Sequence, residues 1–110
     1  MILFYLIVVI GSIVMLVWLA RGAFFVPTRR KYISRIIEML DVKTGEKIVD
    51  LGSGDGRLMV AIAEAGGTVY GYEHNPLLVM RSKQNFKRLG LEGRTFVYME
   101  NFWKVNLSSY

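Results

Sequence analysis

A short apolar segment, Lys47-Ile48-Val49-Asp50-Leu51, runs without a break into three alternating glycines, Gly52, Gly54 and Gly56. An apolar stretch of helix length follows, opening with Arg57. Few folds accommodate a buried strand that ends in such a turn and continues as a helix. Glycines there let the backbone take positive φ and let a ligand approach where any Cβ would collide. The pattern predicts a ligand-binding strand–turn–helix unit of an open α/β sheet.

The spacing of the turn narrows the ligand. A dinucleotide fingerprint is G-x-G-x-x-G, but here the third glycine comes one residue early and Arg57 stands in its usual place. Asp50 lies two residues before the first glycine and Asp55 lies inside the turn. Carboxylates aimed at a pyrophosphate would repel it. S-adenosylmethionine has no phosphate and carries a sulfonium and an α-ammonium, both attracted to an acid in this position. The charge pattern therefore favours that cofactor over NAD or FAD.

A second acid agrees. Thr68-Val69-Tyr70-Gly71-Tyr72 reads as the next strand and ends in Glu73, about 20 residues after the first glycine, where a ribose-binding acid belongs. A carboxylate can accept both ribose hydroxyls. The plainer alternative is a solvated acid at a strand end. His74 follows directly and reads as an exposed loop residue beside the ligand.

The remaining chain alternates helix and strand. Thr28 is the candidate N-cap of a helix whose Ile33, Ile36, Ile37 and Leu40 recur on one face. Asp41 to Glu46 make the loop into the first strand. The helix from Arg57 to Ala65 is apolar nearly all round, which predicts burial, and Gly66-Gly67 stop it. Asn75-Pro76 is an N-cap with proline at N1 of a helix that Gly90 closes. Arg94 to Met99 reads as the third strand. The order predicts a parallel sheet with right-handed crossovers.

Residues 1–20 contain no charged side chain. As a helix they would reach about 30 Å, the thickness of a hydrocarbon core, and the absence of a basic start argues against a cleaved signal. The expectation is a single-pass transmembrane helix over 1–21 and an apolar linker over 22–28. Arg21, Arg29, Arg30, Lys31 and Arg35 follow before the first acid, Glu38, which would leave the N-terminus outside and the C-terminal part cytoplasmic. The formal net charge of +5 raises a nucleic-acid partner. However, Arg81, Lys83, Lys87 and Arg88 make no single stripe on a helix, so a solvated face or attraction to anionic lipid is the better reading and no nucleic acid is expected. The absence of cysteine removes disulfides and thiolate metal sites, and no metal is expected.

The run Val49 to Arg57 followed by Gly71-Tyr72-Glu73-His74-Asn75-Pro76 resembles the class I S-adenosylmethionine-dependent methyltransferases. More narrowly, it is similar to the protein-lysine methyltransferases that act on the ATP synthase c-subunit and the adenine nucleotide translocase. Val26-Pro27-Thr28 and Trp103-Lys104 fit that family's order as well. The resemblance implies that Asp50 orients the methionine ammonium and that Gly52, Ser53, Gly54, Asp55 and Gly56 form the floor. Glu73, with Asn75 beside it, would hold the ribose, and Asn101 with Phe102 would border the adenine. The family has an acid where Asn101 stands, and Asn can still accept from the adenine amino group. Phe102 and Trp103 read equally well as core packing. A protein lysine is the implied acceptor, and no catalytic residue is identified.

The expected fold is thus α/β, a transmembrane helix followed by a partial Rossmann-like parallel sheet over 29–110. Only three strands are visible, where such a sheet has about seven. The domain is expected to break off after the third strand, leaving the first strand with a bare apolar edge. Two rivals follow. One is a nicotinamide or flavin oxidoreductase, opposed by Arg57 and the acids. The other is a non-catalytic membrane-tethered cofactor-binding remnant, or one subunit of a two-chain assembly.

Overall fold

The computed structural model describes residues 1–20 and 28–110, without the side chains of residues 18–20 and 102. Helix α1 spans Ile2–Ala20 and α2 spans Arg30–Leu40. Strand β1 (Lys47–Leu51), helix α3 (Arg57–Glu64), strand β2 (Thr68–Glu73), helix α4 (Pro76–Arg88) and strand β3 (Thr95–Met99) follow. Two short 3-10 turns, Phe102–Lys104 and Leu107–Ser109, come after β3.

The three strands form one parallel sheet in the order β1-β2-β3. Asp50 stands opposite Gly71, and Gly71 opposite Val97. Because side chains alternate across a strand, Val69 and Val97 point to one face and Tyr70, Tyr72, Phe96 and Tyr98 to the other. The first face is covered by α3 and α4. Met59, Ile62 and Ala63 of α3 and Val79 and Phe86 of α4 are buried there with Val69 and Val97. The predicted burial of α3 is met along that stripe. On the opposite face Tyr70 stacks on Phe96 at 5.3 Å and Tyr72 on Tyr98 at 5.4 Å. Tyr110 folds back against Tyr70 at 4.7 Å, and its hydroxyl hydrogen-bonds that of Tyr72.

Local chemistry explains the boundaries. The Asn75 side chain accepts from Leu77 N at 3.0 Å and caps α4, with Pro76 first in the helix, as the Asn-Pro pair predicts. Beyond α4, Gly90 takes φ +69°. Among the described residues β1 pairs on one side only, with β2.

Three expectations are corrected. Among the described residues no helix is long and apolar enough to cross a membrane, which overturns the transmembrane helix over 1–21. The linker over 22–28 lies outside the described residues except for Thr28. Thr28 is not the N-cap of α2. Arg29 occupies that position in extended conformation without a side-chain cap, and its carbonyl receives Tyr32 N at 2.9 Å and Ile33 N at 3.2 Å. Finally, Leu40 ends its stripe 44% exposed. Ile33, Ile36 and Ile37 are half-buried, where α2 packs against α3.

Candidate functional site

The carboxyl ends of β1 and β2 lie side by side, and the chain leaves β1 through the glycine turn. Tyr72 O at the end of β2 receives both Gly52 N, at 2.8 Å, and Ser53 N, at 3.2 Å. The turn then closes on itself through Gly56 N to Ser53 O at 3.1 Å, and α3 begins with Val60 N to Gly56 O at 2.9 Å. Gly52, Gly54 and Gly56 all have positive φ, the requirement that the alternating glycines signalled.

The space around those glycines differs. A Cβ on Gly52 would meet nothing within 4 Å, so that position faces open volume into which a ligand can come. A Cβ on Gly56 would lie 2.9 Å from Phe86 Cζ and 3.0 Å from Ser82 Oγ. With φ at +81° as well, Gly56→Ala is strained in both backbone and packing. It should lose about 1–3 kcal/mol of stability, read as a lower midpoint in urea denaturation with unchanged slope.

Glu73 holds the site together. It is buried, at 7% exposure, and its two oxygens do different work. Oε2 accepts Gly54 N at 3.0 Å and Oε1 accepts Asn75 N at 3.0 Å. The carboxylate thus joins the glycine turn to the cap of α4. His74 Nδ1 also lies 3.3 Å from Oε1. Each carboxylate oxygen has a second lone pair, so Glu73 keeps acceptor capacity toward the open side of the turn.

Asp50 lies one strand over, half-buried. Burial first, and then repulsion from Glu73, push its carboxyl up to about 6. Among the described residues no ion pair reaches it. The expected cofactor fits this setting: a cationic group beside Asp50 would offset both causes at once, and a phosphate would worsen both.

Asp55 is otherwise engaged. Arg57 Nη2 lies 2.8 Å from Oδ2, and Nε lies 3.2 Å from Oδ1 and 3.3 Å from Oδ2. Burial raises the carboxyl, but the hydrogen bonds and charge of Arg57, with Arg81 behind, outweigh it and hold Asp55 below its ordinary value. Arg57 is correspondingly held more firmly protonated, chiefly by that hydrogen bond. Ser53 is buried, and among the described residues its hydroxyl has no hydrogen-bond partner.

Asp50, Gly52, Ser53, Gly54, Asp55, Gly56, Glu73 and Asn75 therefore belong to one neighbourhood, Asp55 through its backbone. Asn101 lies just past β3, where its Oδ1 accepts Trp103 N at 3.1 Å. The side chain of Phe102 is outside the described residues. Trp103 is 83% exposed, so the core-packing alternative does not hold for it. Among the described residues no group of three or more His, Cys, Asp or Glu could hold a metal ion. The solvated-face reading of the α4 cations fits the exposure of Arg81, Lys83, Lys87 and Arg88. A shallow hollow of about 420 Å³ along Met80, Lys83 and Lys87 lies apart from the turn.

Ser82 was missed by sequence reasoning. It is fully buried, and its one hydroxyl proton is shared between Gly54 O at 3.1 Å and Leu78 O at 2.9 Å. Gly54 is thereby held at both ends of its peptide units, by Glu73 and Ser82. The available signal was a small hydroxyl in helical register with Val79 and Phe86.

Comparison with known proteins agrees with this geometry. Residues 50–110 match the ANTKMT methyltransferase domain. The human lysine N-methyltransferase of the ATP synthase c-subunit is 43% identical over 86 residues, covering 78% of this chain and 36% of that protein. A protein-lysine N-methyltransferase of Saccharolobus islandicus is 30% identical, covering 76% of this chain and 53% of that protein. The crystal structure of an RNA methyltransferase from Salinibacter ruber, in complex with S-adenosyl-L-homocysteine, superposes with a TM-score of 0.73 at 31% identity. That match covers 76% of this chain and 55% of the other. The chain thus spans about a third of the length of the human relative. The resemblance read from the motifs is borne out, and the chain belongs to the ANTKMT methyltransferase domain family.

Proposed function

We propose that this chain forms the cofactor-binding part of an S-adenosylmethionine-dependent methyltransferase whose acceptor is a protein lysine amine. The observation that carries the reading is the pairing of Asp50 and Glu73 at adjacent strand ends beside an open glycine turn. Two carboxylates, with no ion pair to Asp50 among the described residues, suit a positively charged nucleoside. The names of the human and Saccharolobus relatives support the lysine acceptor.

When bound, the cofactor supplies a methyl group already activated by its positive sulfur. Asp50 would hold the methionine ammonium, with its carboxylate ionised by that charge. Glu73 would receive the ribose hydroxyls through its remaining lone pairs while its amide bonds keep the turn in place. The acceptor lysine has to arrive as the neutral amine, since an ammonium has no lone pair, and a site that sheds water favours that form. The catalytic contribution of this part is positioning.

The test is calorimetric titration of the chain with S-adenosylhomocysteine, with NADH as control and Asp50→Ala in parallel. Saturable binding of the first ligand alone, lost in the variant, is expected. A folded chain that binds NADH, or neither ligand, would overturn the reading. The acceptor is tested with methyl-labelled S-adenosylmethionine and the ATP synthase c-subunit, where label is expected on a lysine. Label entering RNA in place of protein would refute that half of the proposal.

A further inference from the structure

Arg57 occupies the position where the glycine spacing departs from the dinucleotide pattern, and its contacts reach beyond the turn. Three contacts of 2.8 to 3.3 Å fork its guanidinium onto Asp55. The remaining nitrogen, Nη1, donates to Thr28 O at 3.2 Å. One planar group therefore joins the glycine turn to a backbone carbonyl 29 residues earlier, immediately before α2. Asp55 is nearly buried while Arg57 is half exposed, at side-chain values of 12% and 40%.

We infer that Arg57 is a positioning residue that couples the start of α2 to the cofactor-binding turn. This rests on the methyltransferase reading above. Three features argue for coupling over an ordinary surface ion pair. The fork is multidentate, and single exposed pairs contribute little. Its acceptor at the far end is a main-chain carbonyl, which ties a segment and not merely a side chain. Its near end is Asp55, whose backbone belongs to the turn, so any ligand that fixes Gly54 to Gly56 also fixes the fork. Coupling of this kind is reciprocal: a ligand that orders the turn steadies the start of α2, and loosening α2 weakens the ligand. Arg57 also keeps the Asp55 carboxylate occupied, leaving Asp50 and Glu73 as the acids that meet the ligand.

Lysine cannot replace the fork. Its three donors sit on one nitrogen, so it can reach Asp55 or Thr28 O but not both in this geometry. In the full chain, Arg57→Lys keeps the charge and the helix start. Its affinity for S-adenosylhomocysteine should nevertheless fall by about tenfold. The amides of Tyr32 and Ile33, which bond Arg29 O, should exchange faster with deuterium than in the unmodified chain, and added ligand should no longer slow them. Asp55→Asn, which weakens the other end, should behave alike.

Unchanged exchange at Tyr32 and Ile33 in both variants would overturn the coupling, whatever the affinity does. Unchanged affinity with faster exchange would overturn it equally, since the α2 start would then move without consequence for the ligand. The exchange comparison needs no ligand, so it stands even if the unmodified chain fails to bind S-adenosylhomocysteine. That failure would count against the methyltransferase reading alone.

Discussion

Glu73→Gln should destabilise the chain by about 1–3 kcal/mol and abolish S-adenosylhomocysteine binding, although glutamine matches glutamate in size. The reason is the division of labour between the two oxygens. Gly54 N–H is aimed at Oε2 and Asn75 N–H at Oε1, so the site needs an acceptor at both ends of the fork. Glutamine offers one acceptor and one NH2 donor. Whichever way the amide turns, one backbone N–H faces another donor inside a buried pocket. Either the glycine turn or the cap of α4 is then released. Glu73→Ala leaves both amides without a partner and should be at least as damaging. Urea denaturation monitored by circular dichroism reads the stability, and calorimetry reads the binding. A Glu73→Gln chain that binds normally would show that the ligand does not depend on the Glu73 carboxylate.

Much of this site was legible because its determinants are local. Positive φ at alternating glycines, an Asn-Pro cap and an acid at the end of a short apolar strand all act within a few residues, and β1, α3, β2, α4 and β3 fall within a residue or two of their expected bounds. Most of what escaped was set by contacts distant in sequence, the Asp55–Arg57 fork at i+2 excepted. Asp55 looks identical to Asp50 as a carboxylate near glycine, yet Arg57 at i+2 takes both its oxygens. Thr28 has the chemistry of an N-cap, but its carbonyl is held by Arg57 and the helix starts two residues later. Ser82 lay hidden in a run dominated by cations, because its partner, Gly54 O, is 28 residues away. The expected membrane span rested on the uncharged run of residues 1–20, yet among the described residues no helix is long and apolar enough to cross a membrane.

Asp50→Asn should move stability and binding in opposite directions. Burial and the neighbouring Glu73 push the Asp50 carboxyl from 3.8 to about 6, so the folded chain holds this proton where the unfolded chain has released it. Stability therefore falls as pH rises from about 4 to about 6, and the full penalty is present above that window. A displacement of this size corresponds to at most about 3 kcal/mol, and partial exposure of the group brings the expected gain to about 1–2 kcal/mol. The asparagine chain should melt higher than the unmodified chain at pH 7.5 and at nearly the same temperature below pH 4. Ligand affinity should behave in reverse. In the unmodified chain, S-adenosylhomocysteine should bind more tightly as pH rises through 6, because the ionised carboxylate meets the ligand's ammonium. In Asp50→Asn that rise should vanish and affinity at pH 7.5 should fall by about tenfold or more. Measuring both chains at each pH isolates Asp50 from every other titrating group. A variant that is less stable at pH 7.5 would mean that Asp50 is held by a partner of its own in the free chain. The site would then already supply the positive charge that the cofactor is proposed to bring.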